Sequence, residues 1–188
     1  MTDIPLESEL KIPVTDFDRV RASLQRARAI VEQMMMREIN LLLDTEDGRL
    51  REAGSLLRLR QYGDRKILTF KGPASYHGVI KVRAEYETQI ADLPRMVDVF
   101  EQLGFSESMR YEKDREEWSL EEYSVVLDHT PMGDFVEVEG PPERLESTAQ
   151  LLGLKPALAA RGSYVSLWLE YRRLHPELDL PTDMVFRT

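Results

Sequence analysis

The sequence predicts an α+β domain of about eight antiparallel strands, with helices at the connections between the strands. Apolar and charged residues alternate over several short stretches, as they do on strands whose two faces meet different surroundings. Clusters that contain Gly, Pro and Asp separate these stretches and are typical of turns. Longer segments near both ends have the apolar spacing of amphipathic helices.

The first half of the chain is predicted to form strands around one helix. Alternation over residues 6–12 predicts the first strand, with Glu7, Glu9 and Lys11 on one face. Asp16 is typical of a helix N-cap, and the apolar spacing that follows it predicts a helix to about Gln33. Further strands are predicted at residues 34–44, 55–62, 66–71 and 79–88.

The second half is predicted to alternate between helices and strands. A helix from Asp92 to Leu103 is closed by Gly104, which suits the position after a helix C-terminus. Strands are predicted at residues 109–119, 123–129 and 135–139, and helices at 142–152 and 161–174. Residues 1–175 are expected to form a single domain, followed by an irregular tail at 176–188.

Composition excludes several classes of function. The net charge of −9 makes binding to duplex nucleic acid a poor expectation, because phosphate contacts dominate such binding. The chain has no cysteine, and its three histidines are far apart, so any metal is expected to be a hard cation on carboxylates. The first five residues do not resemble a signal peptide, and no apolar run is long enough to cross a membrane, so a cytoplasmic protein is expected.

The charged faces of the predicted strands carry almost only Lys, Arg and Glu. Besides the first strand, they comprise Arg58 and Arg60; Lys81, Arg83, Glu85 and Glu87; Lys113, Arg115 and Glu117; and Glu137 and Glu139. One interpretation is a one-sided sheet whose charged face lies in water, where ion pairs contribute only ~0.2–1 kcal/mol each. The alternative is a closed barrel with this face inside, where carboxylates hold Mg²⁺ or Mn²⁺ and basic groups hold an anion with many oxygens.

At these residues the chain resembles the CYTH superfamily, the triphosphate tunnel metalloenzymes. Glu7-Ser8-Glu9-Leu10-Lys11 matches the N-terminal ExExK signature of that family. The resemblance continues in order through Leu57-Arg58-Leu59-Arg60, Leu68-Thr69-Phe70-Lys71, Lys81-Val82-Arg83-Ala84-Glu85, Glu112-Lys113-Asp114-Arg115 and Phe135-Val136-Glu137-Val138-Glu139, and it covers roughly residues 6 to 171. It implies an eight-stranded antiparallel barrel, the triphosphate tunnel, with a C-terminal helix.

The resemblance also implies the roles of individual residues. The basic side chains would bind and clamp a triphosphate: Lys11, Arg58, Arg60, Lys71, Arg83, Lys113 and Arg115. The acidic side chains would hold one or two Mg²⁺ or Mn²⁺ ions: Glu7, Glu9, Glu85, Asp128, Glu137 and Glu139. Glu7, Glu9 and the seven basic residues together form the expected catalytic set.

The implied reaction is hydrolysis of a phosphoanhydride in inorganic triphosphate, thiamine triphosphate or a nucleoside triphosphate. The layout is most similar to the class IV adenylate cyclase-like branch, so conversion of ATP to cyclic AMP and pyrophosphate is the first alternative. A triphosphate sensor without turnover is the second. Many members carry a basic residue directly before Ser-Tyr in the last helix, whereas here Arg161 stands one place earlier and Tyr164 is expected to belong to the packing face. Both a monomer and a homodimer are compatible with the sequence.

Overall fold

The computed structural model describes residues 5–187, and the signal-peptide argument, which concerns Met1 to Pro5, lies largely outside this range. Nine strands and five α-helices form the described chain. The strands are β1 (Leu6–Val14), β2 (Ile30–Thr45), β3 (Leu56–Tyr62), β4 (Arg65–Lys71), β5 (Ser75–His77), β6 (Ile80–Gln89), β7 (Phe105–Leu120), β8 (Tyr123–Thr130) and β9 (Gly133–Glu139). The helices are α1 (Phe17–Arg26), α2 (Arg49–Glu52), α3 (Leu93–Gln102), α4 (Leu145–Leu151) and α5 (Tyr164–Leu174).

Eight of these strands close into an antiparallel barrel, which confirms the predicted fold class. Their order is β1-β9-β8-β7-β2-β3-β4-β6, and β1 pairs with β6 to complete the circle. The closing pairs run from Leu6 opposite Ala84 to Glu9 opposite Lys81. The short strand β5 is a ninth strand that pairs with β6 beside β4. Because residues alternate along each strand, closure directs one face of every strand into the barrel.

The apolar core lies mainly outside the barrel wall, beneath the helices. The largest cluster packs α1 and α4 against the outward residues of β1, β8 and β9, among them Leu10, Val125 and Val138. A second cluster places α3 against Leu43, Leu57 and the neighbouring outward residues of β2 and β3. The side chains on the opposite face of the same strands are left to fill the interior.

The predicted helix that follows β1 is too long, because α1 ends at Arg26 rather than near Gln33. Its start is as expected, since the Asp16 side chain accepts hydrogen bonds from the backbone N–H groups of Asp18 and Arg19. Arg28 has a φ of 59°, which ends the helix, and β2 begins at Ile30. Pairing of β2 with β7 along their length overrides the helical spacing of the apolar residues in this segment.

One end of the barrel is covered by α5 and the segment that follows it. Tyr164 and Trp168 of α5 pack against Leu42, Tyr111 and Phe135 at this end. The segment after α5 has little regular structure, as predicted, but it is firmly packed. Met184 is fully buried and exchanges backbone hydrogen bonds with β7, while the Trp168 indole N–H donates to the Thr182 carbonyl. The proposed domain limits at 1–175 and 176–188 stay a prediction. Within residues 5–187, no helix combines the length and apolar character that a membrane crossing needs.

Candidate functional site

The barrel encloses a cavity of about 360 Å³ whose walls are charged. Every site residue predicted from the sequence lines this cavity except Asp128. The lining set comprises Glu7, Glu9, Lys11, Arg58, Arg60, Lys71, Arg83, Glu85, Lys113, Arg115, Glu137 and Glu139. The predicted residues therefore come from β1, β3, β4, β6, β7 and β9, and strand alternation points them inward together.

Three cations surround Glu38, a fully buried side chain of β2. The Glu38 carboxylate lies 3.5 Å from Lys113 Nζ, 3.6 Å from Arg60 Nη1 and 3.7 Å from Arg115 Nε. Burial alone would raise the pKa of this carboxyl, but the nearby cations, Lys113 foremost, lower it below its usual range. One of its oxygens, Oε2, has no hydrogen-bond partner among the described residues, so the cations hold it by charge alone.

Asp128 is fully buried and does not line the cavity itself, but it contacts three residues that do. Arg115 donates to its Oδ1 at 2.7 Å and to its Oδ2 at 2.7 Å, and Lys113 donates to Oδ2 at 2.9 Å. The Tyr164 hydroxyl also donates to Oδ2 at 2.7 Å. Both oxygens are thus occupied by protein donors, an arrangement that fixes the direction of two cations. The role of Asp128 as a metal ligand stays a prediction.

Two further arginines enter the cavity with few anionic partners. Arg58 donates to the neutral Tyr111 and Thr69 hydroxyls at 3.0 Å and 3.2 Å. The carboxylates of Glu85 and Glu87 lie farther away, each 3.9 Å from Arg58 Nη2. Arg83 is buried, and among the described residues no carboxylate oxygen lies within 4.0 Å of its guanidinium. Its Nε has no hydrogen-bond partner there, and burial lowers its pKa. These guanidinium groups are available to an anion in the cavity.

Carboxylates dominate the side of the cavity formed by β1, β6 and β9. Lys71 Nζ lies 2.7 Å from Glu7 and 2.9 Å from Glu85, so one ammonium group forms ion pairs with two carboxylates. Lys81 Nζ lies 2.6 Å from Glu9. In the pairing of β1 with β9, Lys11 lies opposite Glu137, and their side chains form a hydrogen-bonded ion pair.

Among residues 5–187, no basic group lies within 4.0 Å of the Glu139 carboxylate, and the residue opposite Glu139 on β1 is Glu9. Burial and the neighbouring Glu7 carboxylate raise the pKa of Glu139 to about 7. Among residues 5–187, no three acidic or histidine side chains already lie close enough together to hold a metal ion. The chemistry of this side nevertheless fits a hard divalent cation, because its donors are carboxylate oxygens that outnumber the ammonium groups beside them.

Sequence reasoning missed several residues that the barrel brings to the site. Glu38 and Asn40 alternate with apolar residues on β2, and this two-residue spacing was the available signal. Lys81 was recognised as a residue of the charged face but was not assigned to the site, although it lines the cavity. Tyr164 does more than pack, because its ring lies 4.3 Å below Lys11 Nζ and its hydroxyl reaches Asp128. Arg161 donates to the Gly78 carbonyl and is not among the lining residues.

Comparison with known proteins identifies the family. The profile of the CYTH domain matches residues 5–155. The chain belongs to the CYTH domain family. A candidate adenylate cyclase of Methanocaldococcus jannaschii is 28% identical over 135 residues, which cover 71% of this chain and 76% of that protein.

Solved structures of CYTH-like proteins share the fold. A candidate adenylate cyclase of Vibrio parahaemolyticus superposes with a TM-score of 0.80 at 22% identity, over 89% of this chain and 99% of that one. A candidate adenylyl cyclase of Hippeastrum, whose structure is described as revealing a dominant triphosphatase activity, superposes with a TM-score of 0.59 at 17% identity, over 87% of this chain and 95% of that one. At these identities the likeness establishes the architecture of this CYTH chain alone.

Proposed function

We propose that this CYTH protein is a divalent-metal-dependent triphosphatase that cleaves a phosphoanhydride of a triphosphate held inside the barrel. The observation that carries the proposal is the division of one buried cavity into a cationic side and an acidic side. A solvated surface sheet would expose these groups, whereas Lys113 is 2% exposed and Arg58 and Arg83 are each 7% exposed. Buried charges of both signs without full pairing indicate a site that awaits a charged ligand.

The cationic side is suited to polyphosphate. The Arg83 guanidinium has an Nε without a hydrogen-bond partner among the described residues, and the Arg58 guanidinium lies 3.9 Å from Glu85 and 3.9 Å from Glu87 without a hydrogen bond to either. Guanidinium groups can bind phosphate oxygens in a bidentate manner. Asp128 orients Arg115 and Lys113 through hydrogen bonds, so these two cations are held in place before a ligand binds. Preorganised cations stabilise the charge that develops on the transferred phosphoryl group, which is the main requirement of phosphoryl transfer.

The acidic side is suited to Mg²⁺ or Mn²⁺. Glu7, Glu9, Glu137 and Glu139 would hold the metal, which supplies positive charge beside the phosphates when it is bound. Glu85 is a further candidate ligand. Lys71, Lys81 and Lys11 lie against Glu7, Glu9 and Glu137, so a metal ion on these carboxylates would compete with the three lysines for them.

Adenylate cyclase activity is the second candidate, because two of the similar proteins described above are candidate adenylate cyclases from bacteria or archaea. Hydrolysis is preferred for two reasons. It needs only a triphosphate and a water molecule in the charged cavity, and the Hippeastrum neighbour is described as having a dominant triphosphatase activity. Cyclisation would further require the ribose 3′-hydroxyl to lie in line with the α-phosphorus.

Product analysis tests the proposal. The purified protein is incubated with inorganic triphosphate, thiamine triphosphate and ATP, each with Mg²⁺ and with Mn²⁺, and the products are separated by chromatography. Release of orthophosphate that EDTA abolishes is the expected result. Cyclic AMP together with pyrophosphate would replace the proposal with the cyclase, and tight binding without any product would replace it with a sensor.

A further inference from the structure

Tyr111 of β7 reaches the charged cavity, although its ring belongs to the apolar core. The ring packs with Leu42, Phe135 and Trp168 at the end of the barrel that α5 covers. Tyr111 is 5% exposed and is one of the residues that line the charged cavity. The backbone is held on both sides of Tyr111, because Met184 exchanges hydrogen bonds with the residues before and after it. A tyrosine held in this way presents its hydroxyl group at a defined place.

Arg58 donates to two hydroxyl groups, and these groups differ in where their own protons go. Thr69 Oγ1 accepts from Arg58 and donates to the Glu87 carboxylate at 3.1 Å. The Tyr111 hydroxyl also accepts from Arg58, but no hydrogen bond within residues 5–187 takes up its proton. Asn40 lies opposite Tyr111 on β2, yet its Oδ1 has no hydrogen-bond partner in the same range and so does not accept this proton. Tyr111 therefore keeps one buried donor in reserve.

The charge around this donor favours an anionic acceptor. The hydrogen bond from the Arg58 guanidinium polarises the Tyr111 hydroxyl, which strengthens it as a donor. Because the phenol is neutral, it can lie in contact with a guanidinium group that would repel a second cation. The carboxylates nearest to Arg58, those of Glu85 and Glu87, accept no hydrogen bond from Tyr111. An acceptor for the proton has to be supplied by a ligand of the cavity.

We propose that Tyr111 is a substrate-binding residue whose hydroxyl group donates a hydrogen bond to a phosphate oxygen of the triphosphate, beside Arg58. The inference rests on the proposed function and adds a neutral donor to the cationic side of the cavity. A hydrogen bond to a charged acceptor contributes more than one between neutral groups, and loss of such a bond is expected to weaken binding by about tenfold or more.

The first test removes the hydroxyl group and keeps the ring. Tyr111→Phe is compared with Tyr123→Phe, because the buried Tyr123 donates to the Pro141 carbonyl and does not line the charged cavity. Calorimetric titration with inorganic triphosphate in EDTA gives Kd without turnover, steady-state kinetics with Mg²⁺ give KM and kcat, and circular dichroism checks each fold.

Tyr111→Phe is expected to raise both Kd and KM by about tenfold with a smaller change in kcat. Tyr123→Phe should leave all three values unchanged. Wild-type values of Kd and KM in the Tyr111→Phe protein would overturn the inference.

A second comparison separates contact with the substrate from support of Arg58. If Tyr111 only held Arg58 in place, Tyr111→Phe would have no further effect in a protein that already carries Arg58→Ala. Direct contact predicts that Tyr111→Phe raises Kd in this background too, by at least about threefold. An effect of Tyr111→Phe that disappears in the Arg58→Ala protein would give Tyr111 a supporting role and overturn the inference.

A variant with a modified hydroxyl group keeps the inference testable if Tyr111→Phe does not fold. Replacement of Tyr111 by 3-fluorotyrosine makes the hydroxyl group a stronger donor and a weaker acceptor. Triphosphate should then bind more tightly if Tyr111 donates to it. Weaker or unchanged binding would indicate that the hydroxyl group serves only as an acceptor for Arg58, and would overturn the inference.

Failure of the proposed function has a different signature. Binding of triphosphate that depends on Tyr111 but leads to no product would replace the triphosphatase with a sensor and retain Tyr111 as a binding residue. Turnover with unchanged Kd and KM in Tyr111→Phe would overturn only the role of Tyr111. A wild type that neither binds nor cleaves triphosphate would overturn both.

Discussion

Glu38 and Glu139 are the same residue type inside the same barrel, yet their surroundings shift the pKa values of the two carboxyl groups in opposite directions. Glu38 is fully buried among Lys113, Arg115 and Arg60, and these cations hold its pKa below the usual range. Glu139 faces Glu9 across the strand pair, and burial with the nearby Glu7 raises its pKa to about 7.

The difference shows that the cavity is charged unevenly rather than neutral throughout. On the cationic side, buried acids are outnumbered by the positive groups around them. On the acidic side, Lys71 and Lys81 pair with Glu7 and Glu9, and no basic group of the described residues lies within 4.0 Å of Glu139. An anion on the first side and a cation on the second would relieve both imbalances, because opposite charges favour the ionised forms. A metal–triphosphate complex has this distribution of charge.

The largest expected effect comes from removing an acid on the acidic side. Glu9→Gln should reduce kcat by about a thousandfold because a proposed metal ligand is lost. Glu117→Gln is the control, since Glu117 also lines the cavity but pairs with Arg65. Steady-state kinetics at saturating Mg²⁺ provide the measurement, and equal rates in the two variants would remove the metal assignment from this side.

The next largest effect should come from Glu38→Gln on the cationic side. Loss of this negative charge leaves Lys113, Arg115 and Arg60 to repel one another, so we expect a loss of roughly 3 kcal/mol in unfolding free energy. Added triphosphate should restore most of that loss, because it supplies negative charge to the same cations. Thermal melts with and without inorganic triphosphate measure both effects.

Glu112→Gln is the control for the loss of an acid near the surface, since Glu112 pairs with the half-exposed Arg37. The free energy of unfolding of this variant should fall by less than about 1 kcal/mol relative to the wild type. Added triphosphate should not change that difference between the variant and the wild type. A Glu38→Gln protein that melts like the wild type would contradict the view that Glu38 balances the cations.

Arg58→Ala should raise KM by about ten- to a hundredfold with a smaller change in kcat, since it removes a guanidinium whose bonds go to the neutral Tyr111 and Thr69. Arg65→Ala, at a residue that pairs with Glu117 and is 42% exposed, is the matched control. Binding of inorganic triphosphate by calorimetry gives an independent measure. An unaltered affinity in Arg58→Ala would count against Arg58 as part of the clamp.

The smallest effect concerns Glu139 in metal-free protein. Its pKa is raised from an ordinary value near 4.5 to about 7, so ionisation destabilises the fold increasingly as pH rises from about 4.5 to 7. Glu139→Gln removes this destabilising ionisation, so it should stabilise the EDTA-treated protein by about 1–2 kcal/mol at pH 8 and give no gain in stability at pH 4. Melting curves at the two pH values are decisive, and a gain at pH 4 of the same size would exclude the electrostatic cause.

Strand alternation made most of the site predictable. Once Glu7, Glu9 and Lys11 are placed on one face, closure of the barrel brings them to the same cavity as the paired arginines of β3. Glu38 was missed because its neighbours on β2 are mainly apolar, so no charged pattern marked that strand. The partners of Asp128 depend on where α5 lies, and the position of a helix relative to a barrel cannot be read from local periodicity.

Along the strands of the barrel, outward residues belong to the apolar core, whereas their inward neighbours line the charged cavity. On β1, Leu10 packs beneath helices outside the wall, while its neighbours Glu9 and Lys11 face the interior. A substitution on the inward face can therefore change which ligand the barrel cavity would accept without creating a void in the apolar core. Over evolutionary time, such a scaffold can exchange substrates through changes at inward positions while selection for folding acts mainly on the outward ones.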